Sequence, residues 1–526
     1  MKRLISRYSI LLVFCVLTGC NDFLEESSQG EVRPSTVDEL YQVMLGEAYP
    51  KTSLDGDIIM PYLELLTDNM QFNAVVSGSE TALNLVEKFR PIFSWKKEMY
   101  EECALVRGMG TWDLYYSRIC GCNVVLDYLD RVSGGMERKY DMRGQVLVLR
   151  GWWYLQLVNL YGLPYNEGDP GKNPGVPLKL SMEVTGELFV RNTVAEVYGQ
   201  IEKDLLEGTA LLKKYGTETS AWKMSYLAGM SLLSRMYLYM ENWDKAIVYA
   251  DSVLEERSGL CDFSKFDDVE NAVNGNIDGT YSGVYNSSVS NEIIWMYGNS
   301  NENTLYTSMT SGSLDPASYA ISEELVDCFE KLNNPGNDSR KDAGDLRRCY
   351  EIVSGYYYDS QYESKYYYPY WVTKQGRANG IYSFRCSAKG LRTAELYLNR
   401  AEAYIQKYRK EGSIAFRERA LDDLNRLRES RFDTRHVDYV PVERRTDIDV
   451  SSVDKLYDFC LLERRRELMF EDHRWFDLRR SGMPRLVHMV GSPATTYVLE
   501  ASSPHYVLPI PETVMKDNAK LEQNKY

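Results

Sequence analysis

Histidine is scarce in this 526-residue chain: His436, His473, His488 and His505 are all there are, and no two stand at a ligand spacing such as HxxxH. Without a His/Cys cluster the sequence offers no zinc-type site. A basic surplus is missing too, since 61 Lys and Arg face 76 Asp and Glu, for a net charge of −15. Nucleic-acid binding rests on neutralising phosphates, so this balance excludes that class and argues against polyanionic ligands. The N-terminal apolar run Ile10–Leu17 covers eight residues, well short of the roughly 20 that a membrane-spanning helix needs. A glycosidase needs two carboxylates about 5–9.5 Å apart, and pairs will arise by chance among so many acids, but no motif singles one out. Enzymatic chemistry is therefore not expected, and neither a cofactor nor a metal.

Hydrophobic residues make up 44% of the chain and aromatics 12%, with 41 Tyr, enough for a large core. Lys2, Arg3 and Arg7 followed by Ile10–Leu17 read as an export signal, and Leu17-Thr18-Gly19-Cys20 is a lipobox, similar to the sites at which lipoproteins are cleaved and acylated on Cys. Residues 1–19 are thus expected to be removed, Cys20 to carry the lipid, and residues 20–34 to form a tether reaching at most about 50 Å. An intracellular repeat scaffold does not fit this leader. Beyond Cys15 and Cys20 eight Cys remain, an even number that permits disulfides. Cys120 and Cys122 face different ways on a helical pattern and Cys460 lies on an apolar stripe, so buried free thiols are expected for most.

Helical periodicity dominates the rest. Val37–Met44, Thr111–Leu129, Met142–Tyr161, Val194–Lys214, Ala221–Met240, Asn242–Glu256, Thr393–Tyr408 and Ser413–Arg428 each carry apolar residues at helical spacing. The stretch LLSRMYLYMENWDKAIVYADSVL is close to a tetratricopeptide unit, with small Ala246 and Ala250 allowing tight helix crossing. A loop-rich insertion, 261–390, splits the helical regions 35–260 and 391–526. Within it NEIIWMY (Asn291–Tyr297) reads as a buried strand, Pro316–Phe329 as a short helix, and GYYYDSQYESKYYYPYW (Gly355–Trp371) as Tyr-rich strands or an aromatic platform. The fold class expected is mostly α, a tetratricopeptide-like scaffold with an insertion containing short strands.

The stretch Val453–Pro484 organises the chain. Val453, Leu456, Tyr457, Cys460 and Leu461 paint one helix face, and Arg464, Glu467, Leu468 and Glu471 continue it, so ionic groups enter a surface committed to the core. Such groups need partners, and Glu463/Arg466, Arg464/Glu467, Glu471/Arg474 and Arg474/Asp477 sit three apart, close enough to pair on a helix. Its order E-R-R-R-E-L-x-F-E-x-H-R-W-F-D-L-R-R-x-G closely resembles the C-terminal signature of the SusD/RagB family, surface lipoproteins that capture glycans for a TonB-dependent outer-membrane transporter. TAELYLNRAEAYIQ (Thr393–Gln406), ALDDLNRLRESR (Ala420–Arg431) and VLPIPETVMKDNAKLEQNKY (Val507–Tyr526) resemble further family segments, with Lys525 where Gly is usual. Upstream, Thr111–Leu129, Leu149–Gly162, Asn291–Tyr297 and Asp345-Leu346-Arg347 match as well. The resemblance implies a lipid-anchored protein on the extracellular face of an outer membrane, a SusC-like TonB-dependent transporter as partner and a glycan as ligand. It also implies that Glu463–Arg480 bears the fold rather than the ligand. A peptide-binding member of the family is the alternative, because aromatic loops serve peptides too.

Candidate ligand residues come from elimination. Trp112, Trp152, Trp153, Trp222, Trp243 and Trp475 fall in helical motifs and Trp295 and Trp371 in strand-like runs, leaving Trp95, between Ser94 and Lys96-Lys97, as an exposed ring. The resemblance points to the same neighbourhood and to the insertion. Trp95 and Tyr100 are expected to stack on sugar faces, Asp68 and Asn69 to bind hydroxyls, and Tyr281, Tyr285 and Tyr306 to contribute from the insertion loops.

Overall fold

The computed structural model describes residues 33–51, 57, 59–73, 80–103, 109–217, 219–267, 269–273, 284–285, 290–298, 319–331, 344–359, 364–372, 389–436, 438–491 and 493–526. Cys20, Tyr281 and Tyr306 lie outside them. Eleven helices are labelled here: α1 (Val37–Val43), α2 (Glu80–Phe93), α3 (Thr111–Tyr128), α4 (Met136–Tyr161), α5 (Val194–Tyr215), α6 (Tyr226–Tyr239), α7 (Trp243–Glu256), α8 (Thr393–Glu411), α9 (Ile414–Glu429), α10 (Val453–Glu467) and α11 (Arg474–Arg480). The strands are β1 (Met70–Phe72), β2 (Ile293–Tyr297), β3 (Tyr319–Ile321), β4 (Ile352–Asp359), β5 (Ser364–Val372), β6 (Lys389–Arg392), β7 (Leu486–Val490) and β8 (Thr495–Leu499). They pair only two by two and antiparallel, β1 with β3, β2 with β6, β4 with β5 and β7 with β8. The fold is the mostly α, helical-repeat architecture that the periodicity implied.

Helices α3 to α7 pack in succession, and α8 continues the array against α7. Small residues set the closest approaches. A Cβ on Gly208 would lie 2.8 Å from the Gly144 carbonyl oxygen, and one on Gly151 3.0 Å from Leu205, so α4 and α5 pack backbone to backbone. Ala246 and Ala250 are buried in the same way on α7. Local signals start the helices: Thr36 and Thr193 each close a capping box, with Glu39 and Glu196, and Ser225 caps α6 through the Ala228 N–H. Ser225 therefore places the start of α6 beyond Trp222, which is exposed and not in a helix, contrary to the reading of Ala221–Met240 as one helical run.

The core of α3 and α4 is aromatic and apolar. Trp112, Tyr115, Ile119 and Cys122 point inward at the expected spacing, and Tyr115, Trp153, Trp152 and Trp295 form a run of rings with centroids 4.2–5.1 Å apart. Cys103, Cys122, Cys261 and Cys460 are buried free thiols, Cys328 and Cys349 are partly buried, and Cys120 is exposed.

The 261–390 insertion is pinched at its base. β2, near its beginning, pairs with β6, at its end, and Gly390 is obligatory there: its φ is +159° and a Cβ would lie 2.1 Å from the Trp295 carbonyl oxygen. Tyr319–Ile321, expected to be helical, is strand β3, and only Glu323–Asp327 beyond it forms a short helix. Ile92–Trp95 ends α2 in a turn, with Trp95 in the left-handed region at φ +52°.

Candidate ligand surface

The C-terminal signature is not one helix. It ends at Glu467, passes through Phe470 and Asp472 in the left-handed region (φ +60° and +63°), and resumes as α11. Of the spacings expected to pair on a continuous helix, Glu463 and Arg466 do meet, at 3.0 Å. The break turns the other charges toward distant segments. Glu467 accepts from Arg347, Arg392 and Arg431 at 2.9–3.0 Å. Glu463 accepts from Arg347 and Arg428 at 2.6 Å, and Glu292 from Arg392 and Arg431 at 2.7–2.8 Å. Asp345 chelates Arg347, and Glu471 binds Arg392. Five carboxylates thus face Arg347, Arg392, Arg428, Arg431 and Arg466 in a neutral, buried lattice. Burial alone would raise the pKa of Glu463 and Glu467, but the surrounding guanidiniums outweigh it and hold both below the usual carboxylate range.

This lattice seats the insertion. Glu292 precedes β2, Asp345 and Arg347 precede β4, and Arg392 ends β6. Arg431, just after α9, neutralises Glu292, α10 neutralises Arg347, and α10 with the turn after it neutralises Arg392, while Asp345 pairs with Arg347. A second seat lies at β1. Ser322, just after β3, donates its N–H to the Asn69 carbonyl at 2.8 Å and its hydroxyl to the Asp68 carbonyl at 2.7 Å. Arg465 then donates to the Asn69 side chain at 2.9 Å, and Arg474 grips the Asp68 carboxylate at 2.6 and 2.8 Å.

Four of the five described candidate residues are therefore buried, and the fifth is ion-paired. Trp95 is 4% exposed. Its left-handed backbone turns the indole inward, where it stacks on His488 with centroids 4.2 Å apart and donates to the Leu66 carbonyl at 3.0 Å. The expectation of an exposed ring is corrected on that ground. Tyr100 is buried in a hydroxyl chain with Tyr62 and Tyr161, at 2.9 and 3.1 Å. Asn69 is fully enclosed, donating to Glu64 and accepting from Arg465. Tyr285 donates to Glu471 beneath the Arg392 guanidinium and belongs to the charge lattice. Asp68 keeps its side chain 17% exposed, but Arg474 occupies both carboxylate oxygens. The structure brings Asp68, Asn69, Trp95 and Tyr100 into one buried floor under β1 and places Tyr285 apart from them, under the neck of the insertion.

Several groups on this floor titrate away from their ordinary values. Burial lifts Glu64 to about 7, helped by Asp472 and opposed by hydrogen bonds from Asn69, Thr67 and the Phe470 N–H. Burial, with Arg235 next, pushes His473 down to about 4. No group of three or more His, Cys, Asp or Glu able to hold a metal ion occurs among the described residues, and no described helix is long and apolar enough to cross a membrane. Exposed apolar side chains lie elsewhere, among them Val487, Met489 and Val498 on the outer face of the β7–β8 hairpin, Leu180, Val184, Leu188, Phe189 and Val190 in the loop before α5, and Met136 and Trp222. The alternation in LVHMV was the available signal for the first, and the Ser225 cap for the last.

Comparison with known proteins matches this geometry. A family model described as "Starch-binding associating with outer membrane" covers residues 22–238, and one described as "SusD family" covers residues 291–526. Among solved structures, a SusD superfamily protein from Bacteroides thetaiotaomicron superposes with a TM-score of 0.64 at 20% identity over 93% of this chain and 100% of its own. A SusD-like carbohydrate binding protein from Bacteroides vulgatus gives 0.61 at 19% identity, over 93% and 97%. A SusD-like protein from Bacteroides fragilis gives 0.61 at 20% identity, over 93% and 95%. No curated protein matches the chain. The two family models cover most of the sequence, leaving 239–290 between them, and the second includes the buried charge lattice: the chain belongs to the SusD/RagB family.

Proposed function

We propose that this protein is a cell-surface glycan-binding lipoprotein, anchored through Cys20 in the outer membrane, that hands oligosaccharides to a SusC-like TonB-dependent transporter. The carrying observation is the pair of family matches, one to a family of starch-binding proteins associated with the outer membrane. The lipobox Leu17–Cys20 and the excess of acid over base are in keeping with it. In this reading the ligand contacts come from the insertion, to which Tyr281 and Tyr306 belong. Asp68, Asn69 and Tyr285 act as positioning residues that hold the insertion on its scaffold, and Trp95 and Tyr100 belong to the buried core.

An arrayed-glycan screen with the purified mature chain tests the ligand class, and a shared set of linked sugars is the expected result. Binding of peptides with no glycan bound would replace this reading with a peptide-capture one. Palmitate labelling that disappears in Cys20→Ala is expected for the anchor, and labelling that survives would refute it. The native protein is expected to co-purify in mild detergent with a barrel transporter; migration alone would remove that partner.

A further inference from the structure

One end of the helical array carries three exposed apolar side chains on three separate segments. Met136 is the first residue of α4 and is 54% exposed; Trp222, between α5 and α6, is 40% exposed; Val184, at 101%, is fully exposed. The segments are brought to that end by named contacts. The Met182 N–H bonds the Asp127 carboxylate in the last turn of α3 at 2.8 Å, which puts Val184 beside the α3–α4 turn. Tyr215, ending α5, stacks on Tyr140 in the first turns of α4 at 4.8 Å. Lys223, next to Trp222, lies over the ring of Tyr41, on whose other approach Arg138 of α4 sits.

The first described residues of the chain leave from this same end. Ser35 accepts from the Ser133 N–H, and Val37 donates to the Ser133 carbonyl, both at 2.8 Å, in the α3–α4 turn. Single exposed apolar residues are ordinary on a protein surface. Three clustered where the chain runs toward a lipidated cysteine are in a different situation. A tether of at most about 50 Å puts this end within reach of the bilayer, and Trp beside Lys is a pattern that sits at a membrane–water boundary.

We propose that the end face of Met136, Val184 and Trp222 rests on the lipid surface and sets the orientation of the tethered body. This rests on the anchoring reading above. Val184 projects fully into solvent, and the nearby Glu183 and Glu187 favour a zwitterionic surface over an anionic one.

The test places a hexahistidine tag ahead of Asn21, in place of the lipidated Cys20, and binds the chain to phosphatidylcholine vesicles doped with nickel-chelating lipid. Fluorescence of the protein minus that of Trp222→Phe isolates the Trp222 emission. With brominated acyl chains at least about half of that emission is expected to be lost, while Met136→Glu/Val184→Glu restores it with unchanged melting. Equal emission on brominated and plain vesicles overturns the proposal. So does a photoreactive residue at position 184 that, in intact cells, crosslinks to a protein rather than to lipid. The tag holds the chain at the surface whether or not Cys20 is acylated, so failure here leaves the anchor question to palmitate labelling.

Discussion

The α3–α4 region and the α9–α11 region each border a buried core, and the two cores are held by opposite means. In the first, Tyr115, Trp152, Trp153 and Trp295 meet ring against ring. In the second, Arg347, Arg392 and Arg431 converge on one carboxylate, Glu467. Apolar packing is non-directional and tolerates many neighbours. A buried guanidinium demands a matched carboxylate at fixed geometry, and replacing such a lattice by apolar residues often leaves stability unchanged or improved. What the charge lattice adds is therefore placement. Its members come from both ends of the insertion, so the insertion docks in one register only.

The largest expected effect breaks that lattice. Glu467→Ala leaves three guanidiniums without their shared partner and is expected to cost about 3–5 kcal/mol in denaturant unfolding, whereas an unchanged midpoint would mean the pairs are idle. On the apolar side, Trp153→Ala is expected to cost a similar 3–5 kcal/mol, roughly, through its cavity. Replacing Glu467 together with its arginine partners by apolar residues can recover that loss, whereas no removal of a partner refills the cavity at Trp153. Trp95→Ala comes next, at about 3 kcal/mol, with glycan affinity following stability. A stable variant with lost binding would restore Trp95 as a ligand contact.

A pH scan sharpens the contrast. Folding raises the pKa of Glu64 from 4.5 to about 7, so between those values the folded state holds the extra proton. Its contribution is fully present below about pH 4.5 and is lost as pH rises through about 7. Glu64→Gln, which mimics the protonated acid, should remove roughly 2–3 kcal/mol of that dependence, visible as a gap that opens in favour of the variant from pH 5 to 7.5; a constant gap would rule Glu64 out. The smallest effect is outside both cores. Arg143 and Glu207 pair at 2.8 Å but each is about two-fifths exposed, and Arg143→Ala should cost less than about 1 kcal/mol.

Much of this contrast can be read in the sequence. The apolar spacing of Trp112, Tyr115, Ile119 and Cys122 and the intrusion of Arg464 and Glu467 into an apolar stripe anticipated both cores. Three things could not be read. The helix break at Leu468 depends on Phe470 and Asp472 adopting left-handed backbone, which Glu64 and Lys389 hold from afar: Glu64 takes the Phe470 N–H at 3.1 Å and Lys389 the Asp472 carboxylate at 2.7 Å. Trp95 looked free because its immediate neighbours are Ser94 and two lysines, yet His488, nearly four hundred positions away, covers it. The partners of Glu467 are likewise spread over the chain, and pair spacing along one helix carries no information about them.

The lattice also orders events in time. A chain emerging from its N-terminus can assemble α3 to α7 while its C-terminal part is still to come, because those helices contact their neighbours in sequence. The neck of the insertion has no such freedom. Arg347 and Arg392 can meet Asp345 and Glu292 early, but Glu463, Glu467 and Glu471 arrive in the last stretch to emerge. Until then those arginines have only part of their carboxylate set, so the neck docks only once α10 is in place, and a chain cut short before Glu463 carries its incompleteness as unpaired charge.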